Sequence, residues 1–200
     1  MRTAFIIILI SSTTQLWGQN GYVRLENDSI VTGYLRYYTP INDVNRGIEV
    51  WRTKKDKNPL KIPRYTVSEY AIEKDTFKVF HRFRPFAKGN TYFEVVDAKL
   101  RVSGKVNLYF IDNTQNNVST YTGGGLLPGL LDENIGNQPY IYVLEDKATG
   151  FYKALPSKKE KLKEALMEVF PERYVIRYGE VKGEIKYKSI PALVELYNSK

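Results

Sequence analysis

Hydrophobic and polar positions alternate with a period of two through most of the chain, the pattern of strands that bury one face. Gly21-Tyr22-Val23-Arg24-Leu25 alternates, Asn27-Asp28-Ser29 supplies turn chemistry, and Val31 to Tyr37 alternates again. This predicts a hairpin with Val23, Leu25, Val31 and Leu35 on its core face. Ile48 to Trp51 reads as a third strand, Lys54 to Pro59 as a polar turn, and Leu60-Lys61-Ile62 as a fourth strand that Pro63 interrupts. Further strands fit Tyr70–Ile72, Thr76–Phe83, Tyr92–Val102, Lys105–Ile111, Tyr140–Leu144 and Gly150–Ala154, each bounded by Gly, Asn, Pro or Asp.

The period changes near the C-terminus. Ser157-Lys158-Lys159-Glu160 has the spacing of a capping box, and Leu162, Ala165, Leu166 and Val169 follow on one helical face, with Pro171 marking the stop. Ser189-Ile190-Pro191 opens a second short helix with a proline in its first turn, and Leu193, Val194, Leu196 and Tyr197 are placed to dock it on the sheet. The expected fold is therefore α+β: a β-rich antiparallel curled sheet or barrel-like meander with two C-terminal helices. No repeat and no long linker divides residues 19–200, which read as a single domain.

Residues 1–18 read as an address. Arg2 is a small positive region, Ala4 to Ile10 are seven apolar residues, and Ser11 to Gly18 is a polar, small-residue stretch, the pattern of a secretory signal peptide cut near Gly18. Seven residues fall well short of the roughly 20 that span a bilayer, and no later stretch does better. The expected location is the periplasm, the periphery of an outer membrane or the exterior.

Composition then removes chemistries. The chain has 200 residues, no Cys and one His, so disulfides, thiol nucleophiles and thiolate metal sites are excluded as protein-derived chemistry, and no cofactor is expected. Sixteen tyrosines reinforce the strand reading.

The opening Gly21-Tyr22-Val23-x-Leu25, Asn27-Asp28-Ser29 and Gly33-x-Leu35 resembles the first hairpin of a family of small exported proteins of unassigned function found in Bacteroidota. The similarity continues through Tyr65 to Ile72 and Gly104-Lys105-Val106-Asn107-Leu108-Tyr109, and ends in Leu193-Val194-x-x-Tyr197-Asn198. The resemblance implies export and a β-rich architecture, and it assigns no site residues.

Charge is unevenly placed. Between Arg46 and Lys105 there are 15 Lys and Arg against 7 Asp and Glu, while the rest of the chain has 15 against 15. Arg52, Lys54, Lys55, Lys57, Lys61 and Arg64 surround a single Asp56, and Arg82 and Arg84 flank Phe83 beside His81. These eight cations form the candidate binding surface, suited to an anionic envelope glycan or an envelope protein. The bland alternative is a solvated hairpin whose lysines protect a strand edge. Export argues against nucleic acid, the usual partner of a basic aromatic sheet.

Two other stretches invite a function. Thr122 to Leu131 combines four glycines with four leucines, as in a lid over an apolar pocket, which suggests a small-molecule or lipid carrier; alternatively the leucines cap the open end of the sheet. Asp132-Glu133 and Glu145-Asp146 are the carboxylate pairs a hydrolase would need, but neighbours in a strand point to opposite faces, and turn solvation is the simpler role. His81 lies in a strand with no nucleophile motif around any serine, and reads as structural. By elimination the sequence favours a non-enzymatic module that binds another envelope component.

Overall fold

The computed structural model of the chain describes residues 19–38, 47–86, 92–112 and 139–200. Ten strands follow in order: β1 (Gln19–Leu25), β2 (Ile30–Tyr38), β3 (Gly47–Trp51), β4 (Leu60–Pro63), β5 (Val67–Ile72), β6 (Asp75–Phe83), β7 (Phe93–Val102), β8 (Val106–Asp112), β9 (Tyr140–Asp146) and β10 (Phe151–Ala154). They form one antiparallel sheet in the order β10-β9-β8-β7-β6-β5-β1-β2-β3-β4. Three helices close the chain: α1 (Lys159–Met167), α2 (Glu172–Lys182) and α3 (Ile190–Asn198). The fold is thus α+β, a curled open sheet with β4 and β10 at its edges.

The curl follows from connectivity. A single 3-10 turn, Arg64–Thr66, joins β4 at the sheet edge to β5, four positions inward. In a flat sheet those strands would stand about 19 Å apart, whereas a 3-10 turn of this length advances the chain by only about 8 Å. The strands must bend towards each other. Inside the bend, Val23, Leu35, Ile48, Val50, Ile62, Val67 and Tyr70 from five strands pack with Val79 of β6 as one buried cluster.

Gly21 and Gly33 face each other across β1 and β2 where this bend passes. A Cβ on Gly21 would collide with the backbone carbonyl oxygen of Ala71 on β5, and one on Gly33 with that of Trp51 on β3. Neighbouring backbones approach there more closely than any side chain permits.

The second half curls the other way. On β6, Val79 belongs to the first cluster and its neighbour Phe80 to a second, built from Phe93, Val96, Ala98, Tyr109, Ile111, Ile141, Val143 and Ala154. Consecutive strand residues point to opposite faces, so the two clusters lie on opposite sides of the sheet. The ring of Phe80 meets that of Tyr152 on β10, four strands away, at 5.2 Å between centroids. Strands β6 to β10 therefore wrap around this second cluster.

The helices cover the outer face of that second curl, where Val102, Leu108, Tyr142 and Leu144 meet Leu162, Leu166, Phe170, Val175, Leu193 and Val194. Two helices were expected here and three form. The unforeseen α2 buries only Val175 and Tyr178, and its remaining positions are largely charged, which leaves little periodic signal. Pro171 lies beyond the end of α1 and serves as the N-cap of α2. The capping box is not made, because α1 begins one residue later than the Ser157 spacing requires, with Lys158 at the N-cap and no side-chain cap bond. α3 starts with Pro191 in its first turn and buries Leu193 and Val194, while Leu196 stays exposed. Among the described residues no helix is long and apolar enough to cross a membrane.

Candidate binding surface

The strand register assembles a patch on the outer face of β2, β3 and β4. Tyr34 pairs with Trp51 and Arg36 with Glu49 across β2 and β3, and Glu49 with Lys61 across β3 and β4, so these side chains share the face turned away from the first core cluster. Arg36 reaches Glu49 Oε2 at 2.8 Å, and its guanidinium lies 4.9 Å over the Trp51 ring. The Lys54 ammonium stands 5.1 Å from the Tyr34 ring. Cations held over aromatic faces keep flat apolar area and positive charge side by side, a combination that suits sugar rings bearing acidic groups.

The hairpin tip adds further positive charge. Asp56 is the single acid of the Arg52–Asn58 turn, and it is occupied by Thr53, whose backbone N–H and hydroxyl donate to its two carboxylate oxygens at 2.8 Å each. The bonds from the Thr53 backbone and then its hydroxyl hold the Asp56 carboxyl below the usual range, so it serves the turn as an anion. Arg52, Lys55 and Lys57 project from the same turn into solvent, and Lys61 is exposed on β4.

The remaining predicted cations are placed differently. Arg64 turns inward from the 3-10 segment and donates to Asp97 on β7, Nε to Oδ1 at 2.9 Å, which fastens the β4–β5 connection to the second half of the sheet. Arg82 and Arg84 are exposed at and just beyond the end of β6, Arg82 with a positive φ of 49°. The structure thus groups Arg52, Lys54, Lys55, Lys57 and Lys61 on one hairpin, commits Arg64 to an ion pair, and sets Arg82 and Arg84 apart, at and just beyond the end of β6.

A second polar assembly escaped sequence reasoning. Glu145 on β9 accepts hydrogen bonds from Asn107 Nδ2 and the Tyr109 hydroxyl on β8, each at 2.7 Å, and from the Tyr152 hydroxyl on β10. Burial acts to raise the Glu145 pKa, but the three donors together outweigh it and hold the carboxyl below its ordinary value. Burial, with the Glu145 carboxylate, pushes both tyrosine hydroxyls up, so they remain protonated donors. The result is a hydrogen-bonded lock across three strands. Turn solvation, expected of both members of the 145–146 pair, falls to Asp146 alone, which accepts from the Ala148 backbone and the Thr149 hydroxyl. The available signal was the alternation Asn107-x-Tyr109, which puts both donors on one face, but the β8–β9 register that aims them at Glu145 is not written in either strand.

His81 Nε2 lies 2.8 Å from the Val67 carbonyl oxygen and 3.1 Å from Glu26 Oε1, tying β6 to the start of β5 and to the first turn. The glycine- and leucine-rich stretch 122–131 and the Asp132-Glu133 pair lie outside the described residues. Comparison with protein-family models, with curated proteins and with solved structures finds no match.

Proposed function

We propose that this chain is a non-enzymatic exported protein that binds another component of the cell envelope, with the β3–β4 hairpin and the aromatic face beside it as the contact surface, and that the component is an anionic glycan. The observation that carries the reading is the pairing of cations with rings, Arg36 over Trp51 and Lys54 over Tyr34, next to a hairpin tip whose only acid is engaged by its own turn. Trp, Tyr and Arg concentrate binding energy at interfaces, and three of the four ring and cation positions here are of those types. A patch of this kind draws an acidic polymer by its field and then stacks against it.

The test is retention of the mature chain on immobilised acidic polysaccharide and on envelope extract at low salt. Retention is expected to fall steeply with added salt and to drop by about thirtyfold in the Trp51→Ala, Lys54→Ala double variant, since each of the two cation–ring contacts contributes about 1 kcal/mol. Absence of retention at low salt, or retention unchanged in the double variant, rejects the hairpin as the site.

A further inference from the structure

A second cluster of positive charge lies on the helical side of the molecule. The first turns of α2, the end of α3 and the β7–β8 turn enclose an open cleft of about 570 Å³ lined by Lys105, Arg173, Arg177 and Lys200 together with the rings of Tyr174 and Tyr197. Among the described residues no Asp or Glu side chain lines it. Among the described residues Lys105, Arg173 and Arg177 make no ion pair, and Lys200 lies over the Tyr174 ring at 5.2 Å. Lys and Arg are elsewhere in this protein repeatedly paired, as with Arg64 and Asp97, Lys99 and Asp75, Lys153 and Glu168, and Lys159 and Glu184.

The cleft has a fixed wall. The Tyr174 hydroxyl donates to the Leu193 carbonyl oxygen at 2.9 Å, and its ring meets Tyr197 edge-on at 5.0 Å. Tyr197 in turn rests against the buried Phe170 at 4.9 Å. The Tyr174 hydroxyl is therefore committed to the backbone, and the rings present surface to the cleft. Arg173 and Arg177 are one helical turn apart, so their guanidinium groups project from the same side of α2.

We propose that this cleft binds a phosphoryl group carried by a small molecule or a lipid head. The four cations that line the cleft would be only partly neutralised by a single carboxylate, whereas a phosphomonoester or diphosphate brings about two negative charges or more near neutral pH. It also offers several oxygens in the geometry that two guanidinium forks match. The ring wall then accepts the apolar or cyclic body to which the phosphate is attached. This site is separate from the β3–β4 hairpin and does not depend on the glycan reading.

The probe is inorganic pyrophosphate titrated into the full mature chain, followed by calorimetry and by backbone amide spectra. Saturable binding is expected, with perturbed amides confined to 104–106, 171–178 and 196–200. The Arg173→Ala, Arg177→Ala double variant is expected to bind at least about tenfold more weakly, and Arg→Lys at both positions to fall between, because the charge remains while the forked donors are lost. Both arginines are exposed, so the thermal midpoint of these variants serves as the folding control and is expected to be unchanged. Vesicles of phosphatidylcholine with and without phosphatidic acid form the second arm: capture by the acidic vesicles assigns a lipid head group, and pyrophosphate binding without capture assigns a soluble ligand. Failure to bind either probe, or binding that the double alanine variant leaves intact, overturns the proposal. A hairpin variant such as Lys54→Ala is expected to leave pyrophosphate binding unchanged, so the two surfaces fail or succeed independently.

Discussion

Asn198 at the end of α3 bonds to both backbone groups of Val106 at the start of β8: the Val106 N–H donates to Oδ1 at 3.0 Å, and Nδ2 donates to the Val106 carbonyl at 2.8 Å. A side-chain amide here does what a neighbouring strand would do, and it joins the last helix to the sheet. Replacing Asn198 with Ala is expected to lower stability by about 2 kcal/mol, since two half-buried backbone groups lose their partners. Denaturant unfolding measures the loss, and faster hydrogen exchange at the Val106 amide would locate it.

Gly104 lies directly beneath that amide, where a Cβ would overlap the Asn198 side chain. The obstacle is a side chain, so the expected behaviour is non-additive. Gly104→Ala should destabilise the native protein by about 1–3 kcal/mol and cost much less when Asn198 is already Ala. Equal effects in both backgrounds would show that the two residues do not clash.

Gly21 and Gly33 should behave in the opposite way. Their obstacles are carbonyl oxygens of adjacent strands, which no second side-chain substitution removes. Gly21→Ala or Gly33→Ala is expected to cost more than about 3 kcal/mol or to prevent folding, whereas Gly179→Ala, with open space around it, should be tolerated. Expression yield and urea midpoints distinguish these outcomes.

Tyrosine ionisation sets the alkaline limit. Burial, the largest cause in each case, pushes Tyr22, Tyr37, Tyr142 and Tyr174 up to about 12 and raises Tyr70, Tyr109, Tyr152 and Tyr187 as well. An unfolded tyrosine titrates near pH 10, so above that pH the folded state holds more protons than the unfolded one. Stability is expected to be fully present below pH 10 and to fall as pH rises towards 12. Denaturant midpoints across that window, with phenolate absorbance followed in parallel, should show these tyrosines ionising together with unfolding.

Glu145 sets part of the acid limit with the reverse sign. Its folded pKa is held below the ordinary value of 4.5, so its contribution is present above that pH and is lost as the carboxylate is protonated on acidification. Glu145→Gln is expected to lower stability at neutral pH by about 1–2 kcal/mol and to flatten the acid side of the stability profile. An unchanged acid profile would show that the carboxylate is not held by its three donors.

Most strands were legible because alternation is a local signal. The hairpin of β1 and β2, with Val23 and Leu35 buried, needed nothing beyond its own residues. Partner choice was not legible: that β1 takes β5 as its second neighbour depends on a three-residue turn, and Val67-Ser68-Glu69 alternates too weakly to have been read as strand. α2 was lost for a similar reason, since two buried residues in eleven do not make a stripe. The basic hairpin was visible as a run of lysines, but Arg64 looked identical to its neighbours until Asp97 was placed beside it. The α2–α3 cleft draws on positions 105, 173, 177 and 200, which no sequence window gathers.

The pairing of β1 with β5 bears on the order of folding. Strands β1 to β4 are sequential hairpins and can zip as soon as they exist, but the second edge of β1 has no partner until Val67–Ile72 has been made and the bend has closed. In a chain folding from its N-terminus, the first strand therefore waits through more than forty residues with a row of unsatisfied backbone groups, a contact of high sequence separation that slows folding. That interval, when Gly21 to Leu25 could recruit a strand from another copy, is the stage at which misassembly competes with the native fold.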